Sequence, residues 1–300
     1  MNVLALDIGG THVTAARVEA GTLTPPVRLQ VNGHASAEDI LDTWARAALL
    51  AVGELSVGAV AVSVPGPFDY AGGVALFEHK LYALKGMNLS AELHRRWQST
   101  LLDSLPISYL NDALAFALGE WRLRAEQRLG RLLGLTLGTG LGSGFIVDGR
   151  PVTAGEGVPT GGELWQWPLR GGIAEDSISA AGLSRAYHAL TATTLDARQI
   201  AQRAEAGDTS AQRVYHDFGR DLGTVLRAVA DTFRPDLLVF GGQVSRAWSL
   251  FEPALSAELG PYAVVQSILL DDANLLGAAS LAVSAGGPSP PPLFVHTQVP

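Results

Sequence analysis

The chain has no cysteine among its 300 residues. Disulfides and thiolate metal sites are therefore excluded. Lysine is nearly absent: Lys80 and Lys85 stand against 19 arginines. A genome-wide codon bias is the plain reading of that imbalance. It still has a use, because no Gly-Lys-Ser/Thr occurs anywhere, which rules out a P-loop phosphate site. No charge-free apolar run approaches the roughly 18 residues a membrane helix needs. The opening MNVLALDIGG has no basic leader, so no signal peptide is expected and a soluble cytoplasmic protein is the default. Net charge is −8, which argues against a nucleic-acid or membrane-surface partner, since no basic field would steer one.

What is present is apolar. Hydrophobic residues make up 47% and charged residues 17%, enough for sizeable cores, and the length suggests about two domains. The stretch LALDIGGTHVTAARV (residues 4–18) reads as strand, glycine turn, strand. The second half alternates and is β-branched, whereas a dinucleotide-binding turn must open a helix, so a Rossmann site is disfavoured. Ser36 with Asp39 resembles a capping box that starts a helix ending near Gly53. VGAVAVSV (57–64) is a near-continuous apolar strand, closed by Pro65-Gly66-Pro67. An amphipathic stretch covers 90–102. PISYL (106–110) is a short buried strand, followed at Ala113 by a helix to about Leu129.

LGLTLGTGLGSGFIV (133–147) then repeats the opening theme. Superposed on 4–18, Leu4 meets Leu133, Leu6 meets Leu135, Gly9 meets Gly138 and Val18 meets Val147. The repeat predicts two similar α/β halves facing one another across a cleft. Beyond it, 151–172 reads as loop, 184–233 as helix broken near Gly207-Asp208, and PDLLVFGG (235–242) as a buried strand entering a glycine turn. A helix from about Ser245, a strand near 263–269 and a last helix over 272–284 follow. The tail GGPSPPPLFVHTQVP reads as disordered or polyproline-like.

Several positions suggest chemistry. Glycine lets backbone N–H groups approach an anion without a Cβ in the way. Asp7, at the end of the first strand, would repel phosphate unless a cation lay between, which points to Mg²⁺ held through water; a plain hairpin acid is the competing reading. GTGLGSG (138–144) is a second turn of the same kind, and the pair together would cradle a polyphosphate. Gly241-Gly242 could let a flat ring lie on backbone, or simply join strand to helix. Asp112 is either a helix N-cap or a general base.

These stretches together resemble the ROK family of sugar kinases and sugar-responsive regulators, within the actin/hexokinase/Hsp70 superfamily. The resemblance is carried by LALDIGGTHVTAARV, VSVPGPFD (62–69), LNDALAFALGEW (110–121), LTLGTGLGSGFIVDGRP (135–151), GGELWQWP (161–168), EDSIS (175–179), LLVFGGQVS (237–245) and DDANLLGAASLA (271–282). It implies an α/β, two-domain actin-like ATPase (ribonuclease H-like) fold with duplicated mixed sheets and an interdomain cleft. The small sugar-and-phosphate domain would span 1–112 plus 272–300, and the large nucleotide domain 113–271.

The resemblance further implies an ATP-dependent kinase phosphorylating a hexose, with ATP and Mg²⁺. Asp7 would orient the Mg²⁺, with Gly9, Gly10, Thr11, Gly138, Thr139 and Gly140 on the phosphates and Gly241 and Gly242 at the adenosine. Asp112 would be the base. Asn111, Glu163, Glu175, His79 and Gly66 would line the sugar, although a solvated loop histidine is the plainer reading of His79. The family is often dimeric, which allows a homodimer.

Departures are visible. The family's zinc-binding histidine is replaced at Trp165-Gln166, and its cysteines are missing, so no zinc is expected and Trp165 and Trp167 would hold the loop by packing. The family's sugar-binding Ala-Pro-Asn is replaced near Glu78-His79-Lys80. A non-catalytic sugar sensor acting through a protein partner is the alternative. Asp7 is the seventh residue, so no DNA-binding segment is expected before it. A phosphotransferase acting on a non-sugar alcohol is a third reading; Glu163 and Glu175, as hydroxyl acceptors, weigh against it.

Overall fold

The structure, a computed structural model, describes residues 1–78 and 80–284. His79 and the proline-rich tail lie outside the described residues. The described residues divide into two compact units, 1–128 with 271–284, and 129–270.

The first unit opens with an antiparallel hairpin, β1 (Val3–Ile8) and β2 (His12–Glu19), extended by β3 (Thr22–Leu23) and β4 (Val27–Gln30). Helix α1 (Ala37–Val52) follows; Ser36 caps it by accepting from the Asp39 amide at 3.2 Å. Its apolar face, including Ile40, Leu41 and Trp44, joins the core cluster of this unit. Strand β5 (Ala59–Val64) is buried along its whole length, as a central parallel strand must be. The small hairpin β6 (Phe68–Asp69) and β7 (Val74–Ala75), helix α2 (Leu89–Arg96), strand β8 (Ile107–Asn111) and helix α3 (Asp112–Leu123) complete this part. The sheet runs β3-β2-β1-β5-β8, with β1, β5 and β8 parallel.

In the second unit the hairpin recurs as β9 (Arg131–Leu137) and β10 (Leu141–Val147), with β11 (Arg150–Val152). A short hairpin, β12 (Pro168–Leu169) and β13 (Gly172–Ile173), interrupts the segment expected to be loop. Helices α4 (Ala174–Ser177), α5 (Ala180–Thr191), α6 (Ala197–Glu205) and α7 (Thr209–Phe233) follow, then β14 (Leu237–Gly241), α8 (Trp248–Leu259) and β15 (Val264–Gln266). The helical stretch has a second break, after Thr191, where Ala192 takes a left-handed φ of 56°. This sheet runs β11-β10-β9-β14-β15, the same plan as the first.

The repeat is real but not residue-perfect. Ile8 pairs with Val13, whereas Leu137 pairs with Leu141, so the second turn is one residue tighter.

The chain returns to the first unit as α9 (Asp272–Ser284). The sequence reading placed the domain break at Asp112; α3 instead belongs with the first unit, because it packs on α9. Their closeness depends on glycine. A Cβ on Gly277 would lie 1.8 Å from the Ala115 carbonyl oxygen, and one on Gly119 2.1 Å from that of Ala273. No helix among the described residues is long and apolar enough to cross a membrane.

Candidate active site

In the first unit the predicted residues gather at the carboxyl ends of three parallel strands. This is where open α/β sheets place ligands. Asp7 lies level with Ser63, and Val64 level with Asn111. The Ser63 hydroxyl donates to Asp7 Oδ1 at 2.8 Å, and Asn274 Nδ2 donates to the same oxygen at 2.9 Å. Burial raises the Asp7 pKa, and the Asn274 and Ser63 hydrogen bonds partly oppose it. No described residue partners Oδ2.

Sequence reasoning missed both supports. Ser63 had a signal, as a hydroxyl within the otherwise apolar AVAVSV. Asn274 had none, because only the return of α9 brings it to β1.

Removing the Asn274 donor tests this support. Asn274→Ala is expected to cost roughly 1–3 kcal/mol at pH 7, the usual cost of leaving a buried charged acceptor short of a partner. The cost should shrink as pH falls, because the raised pKa brings Asp7 its own proton earlier than an ordinary carboxylate. Thermal melts from pH 7 downwards check this.

Asn111 and Asp112 divide their roles in a way the sequence left open. Asn111 is the N-cap of α3, its Oδ1 accepting from the Ala113 and Leu114 amides at 3.0 and 3.2 Å. Its Nδ2 donates to the Tyr70 hydroxyl at 3.1 Å, and the same side chain hydrogen-bonds the Asp112 carboxylate. Asp112 is thereby released from capping and becomes the first helical residue. Burial, and then the Asp7 charge, push its pKa up to about 6, against a hydrogen bond from the Ala113 amide. Gly66 lies just beyond β5, where an added Cβ would sit 3.6 Å from the Tyr70 hydroxyl.

The turn after β1 is internally braced. The Gly9 amide donates to the His12 carbonyl at 2.9 Å, and the Val31 amide to the Thr11 carbonyl at 2.9 Å. The His12 ring bridges Thr11 Oγ1 at 3.1 Å and Arg28 at 2.9 Å. Burial, and then Arg28, hold the His12 pKa below its ordinary value.

In the second unit, Thr136 of β9 pairs with Gly241 of β14, so their two turns lie side by side. Gly138 and Gly140 close one turn with an amide-to-carbonyl bond of 3.1 Å, and the Ala180 amide donates to the Gly138 carbonyl at 2.8 Å. Thr139 is the exposed tip. Gly242 has φ +85°, and a Cβ there would be 2.4 Å from the Leu137 carbonyl oxygen. Only glycine lets these turns meet.

Glu175 is found at this turn: its Oε2 accepts from the Leu141 amide at 2.9 Å. Glu163 is exposed and accepts from Trp165 Nε1 at 3.1 Å and Gln166 Nε2 at 3.4 Å. The Glu175 amide donates to the Trp165 carbonyl at 3.1 Å, tying the two acidic segments together. Trp165 and Trp167 pack against the core of the unit, as the sequence led us to expect. Among the described residues no cluster of three or more His, Cys, Asp or Glu could hold a metal. His79 lies outside the described residues.

The chain is 27% identical to a glucokinase of Thermotoga maritima, covering 94% of this chain and 97% of the relative. It is 30% identical to an N-acetylmannosamine kinase of Shigella flexneri, covering 94% and 98%. Among solved structures, a ROK family glucokinase from Streptomyces griseus in complex with glucose and AMPPNP superposes with a TM-score of 0.77 at 25% identity, covering 95% of this chain and all of that one. The duplicated sheets are those of the two-domain actin-like ATPase fold. The sequence profile of the ROK family matches residues 3–285, and the chain belongs to that family.

Proposed function

We propose that the chain is an ATP-dependent sugar kinase, moving the γ-phosphoryl group of ATP to a hexose hydroxyl with Asp112 as general base. The observation that carries this reading is the Asp7–Asp112 pair at the strand ends, with Asp112 freed from capping and its pKa raised to about 6. A base works best when its pKa lies near the operating pH. Asp112 takes the hydroxyl proton as that oxygen attacks the γ-phosphorus and the bond to the bridging oxygen breaks, releasing ADP.

Asp7 suits a hydrated Mg²⁺. It offers a carboxylate oxygen with no described partner, and Mg²⁺ is commonly held by one or two carboxylates plus substrate phosphates. When bound, the ion neutralises charge on the phosphates. Gly10, Thr11, Thr139 and Gly140 direct backbone amides to phosphate oxygens, while Gly9 and Gly138, whose amides brace their own turns, keep side chains out of the way. Gly241 and Gly242 offer a flat surface for the adenosine. Positioning and preorganised charge are the main contributions expected of a phosphoryl-transfer site.

Glu163, Glu175 and Asn111 take sugar hydroxyls, Glu175 doing so from the turn it braces. Gly66 leaves room for the ring, and His79 is a further candidate contact. Glucose is the first choice of acceptor, with fructose, mannose and N-acetylhexosamines next. The replaced positions Trp165-Gln166 and Glu78-His79 bear on that choice, and no zinc is required. A cytoplasmic enzyme, free or as a homodimer, fits this role.

Thermal shift with each sugar plus AMPPNP tests the reading. Glucose or an N-acetylhexosamine is expected to raise the melting temperature beyond the nucleotide alone. No shift with any hexose would contradict it.

A further inference from the structure

We infer that Lys80 places its ammonium on the phosphate being transferred, at the Gly9–Thr11 turn; this rests on the kinase reading above. The side chain is laid on the turn itself. A Cβ on Gly10 would lie 2.4 Å from Lys80 Cδ and 3.3 Å from Cγ. The lysine stem therefore occupies the open face of Gly10, with its charge two bonds further on. The segment is held there at a conformational cost. Leu81 is buried at 1% exposure with φ +64°, a left-handed backbone that a leucine rarely adopts. Its amide donates to the Gly33 carbonyl at 2.8 Å, and Gly33 in turn packs on the Gly10 carbonyl, where a Cβ would come within 2.6 Å.

The neighbouring cations are engaged elsewhere. Arg28 pairs with Asp271 at 3.1 Å and contacts His12, and Lys85 lies 4.0 Å from Glu78. Among the described residues Lys80 has no ion pair, and it is exposed. An incoming phosphate meets two carboxylates here, Asp7 and Asp112, so an unpaired ammonium supplies the opposite charge where it is needed.

The test compares Lys80→Met, Lys80→Arg and Lys85→Met with the parent by calorimetric titration of Mg·ATP, of inorganic tripolyphosphate, and of sugar alone. The kcat/KM for ATP at saturating sugar is measured alongside. Lys80→Met, which keeps the stem, is expected to lose about 10–100-fold in phosphate-ligand affinity and in kcat/KM for ATP. Lys80→Arg should restore most of that loss, and Lys85→Met should match the parent. Sugar affinity without nucleotide should stay within about twofold. Parent-like affinity of Lys80→Met for both phosphate ligands would overturn the inference. So would a loss confined to sugar binding, which would make Lys80 an acceptor contact instead. If the parent transfers no phosphate, the kinase reading fails, and the tripolyphosphate titration still decides the role of Lys80.

Discussion

Asp112→Asn is expected to abolish most sugar phosphorylation, lowering kcat by about 10²–10⁴-fold while leaving ATP affinity near that of the parent. The substitution keeps the shape and removes the proton acceptor. Asn111 still caps α3, since its Oδ1 holds the Ala113 and Leu114 amides, so the helix start should survive. In the parent, kcat/KM should fall about tenfold per pH unit below about 6, where Asp112 becomes protonated.

The same substitution should also stabilise the fold at neutral pH. The folded pKa of about 6 lies above the ordinary 3.8, so the folded state binds more protons between those values. Stability is then lost as pH rises through that window. Two pH units correspond to at most about 3 kcal/mol, and the partial exposure of Asp112 reduces this to about 1–2 kcal/mol. Melts of Asp112→Asn should therefore exceed the parent at pH 7.5 and match it near pH 4. A variant that is less active and less stable at pH 7.5 would indicate structural damage rather than loss of a base.

Gly277→Ala is expected to have the largest effect on stability. Its Cβ would press into the Ala115 carbonyl, a backbone atom that cannot swing away. Overpacking of this kind costs about 1–3 kcal/mol, occasionally more, so at about 2 °C per kcal/mol for a chain of this size the melting temperature should fall by about 2–6 °C. The consequences reach the site. Helix α9 carries Asn274 against Asp7, and α3 starts at Asp112. Spreading these helices should lower kcat as well as the melting temperature. A variant that melts like the parent would mean that the helices can separate without cost, contrary to the packing described here.

Much of this was legible in the residues. The apolar run through Val64, the repeated Gly/Thr hairpins and the capping box at Ser36 are local signals, and the elements they mark formed within a few residues of expectation. Local signals carry no tertiary information. That α3 belongs with the first unit depends on a small-residue contact between α3 and α9, distant segments of the chain. Asn274 acquires meaning only beside Asp7. The choice between Asn111 and Asp112 as cap was ambiguous because both are good N-cap residues; the register of β8 with β5 and the Tyr70 hydroxyl favour Asn111. The placement of Glu175 beside Gly140 was invisible for the same reason. The tighter second turn followed no composition cue, since glycine serves turns of either length.

The most direct test of the account is transfer of labelled γ-phosphate from ATP to sugar, measured across a panel of hexoses with the parent and with Asp112→Asn. Labelled sugar phosphate formed by the parent and nearly lost in the variant is the predicted result. Tight sugar binding by the parent with no label transferred to any hexose would contradict it and leave a sensor in place of a kinase.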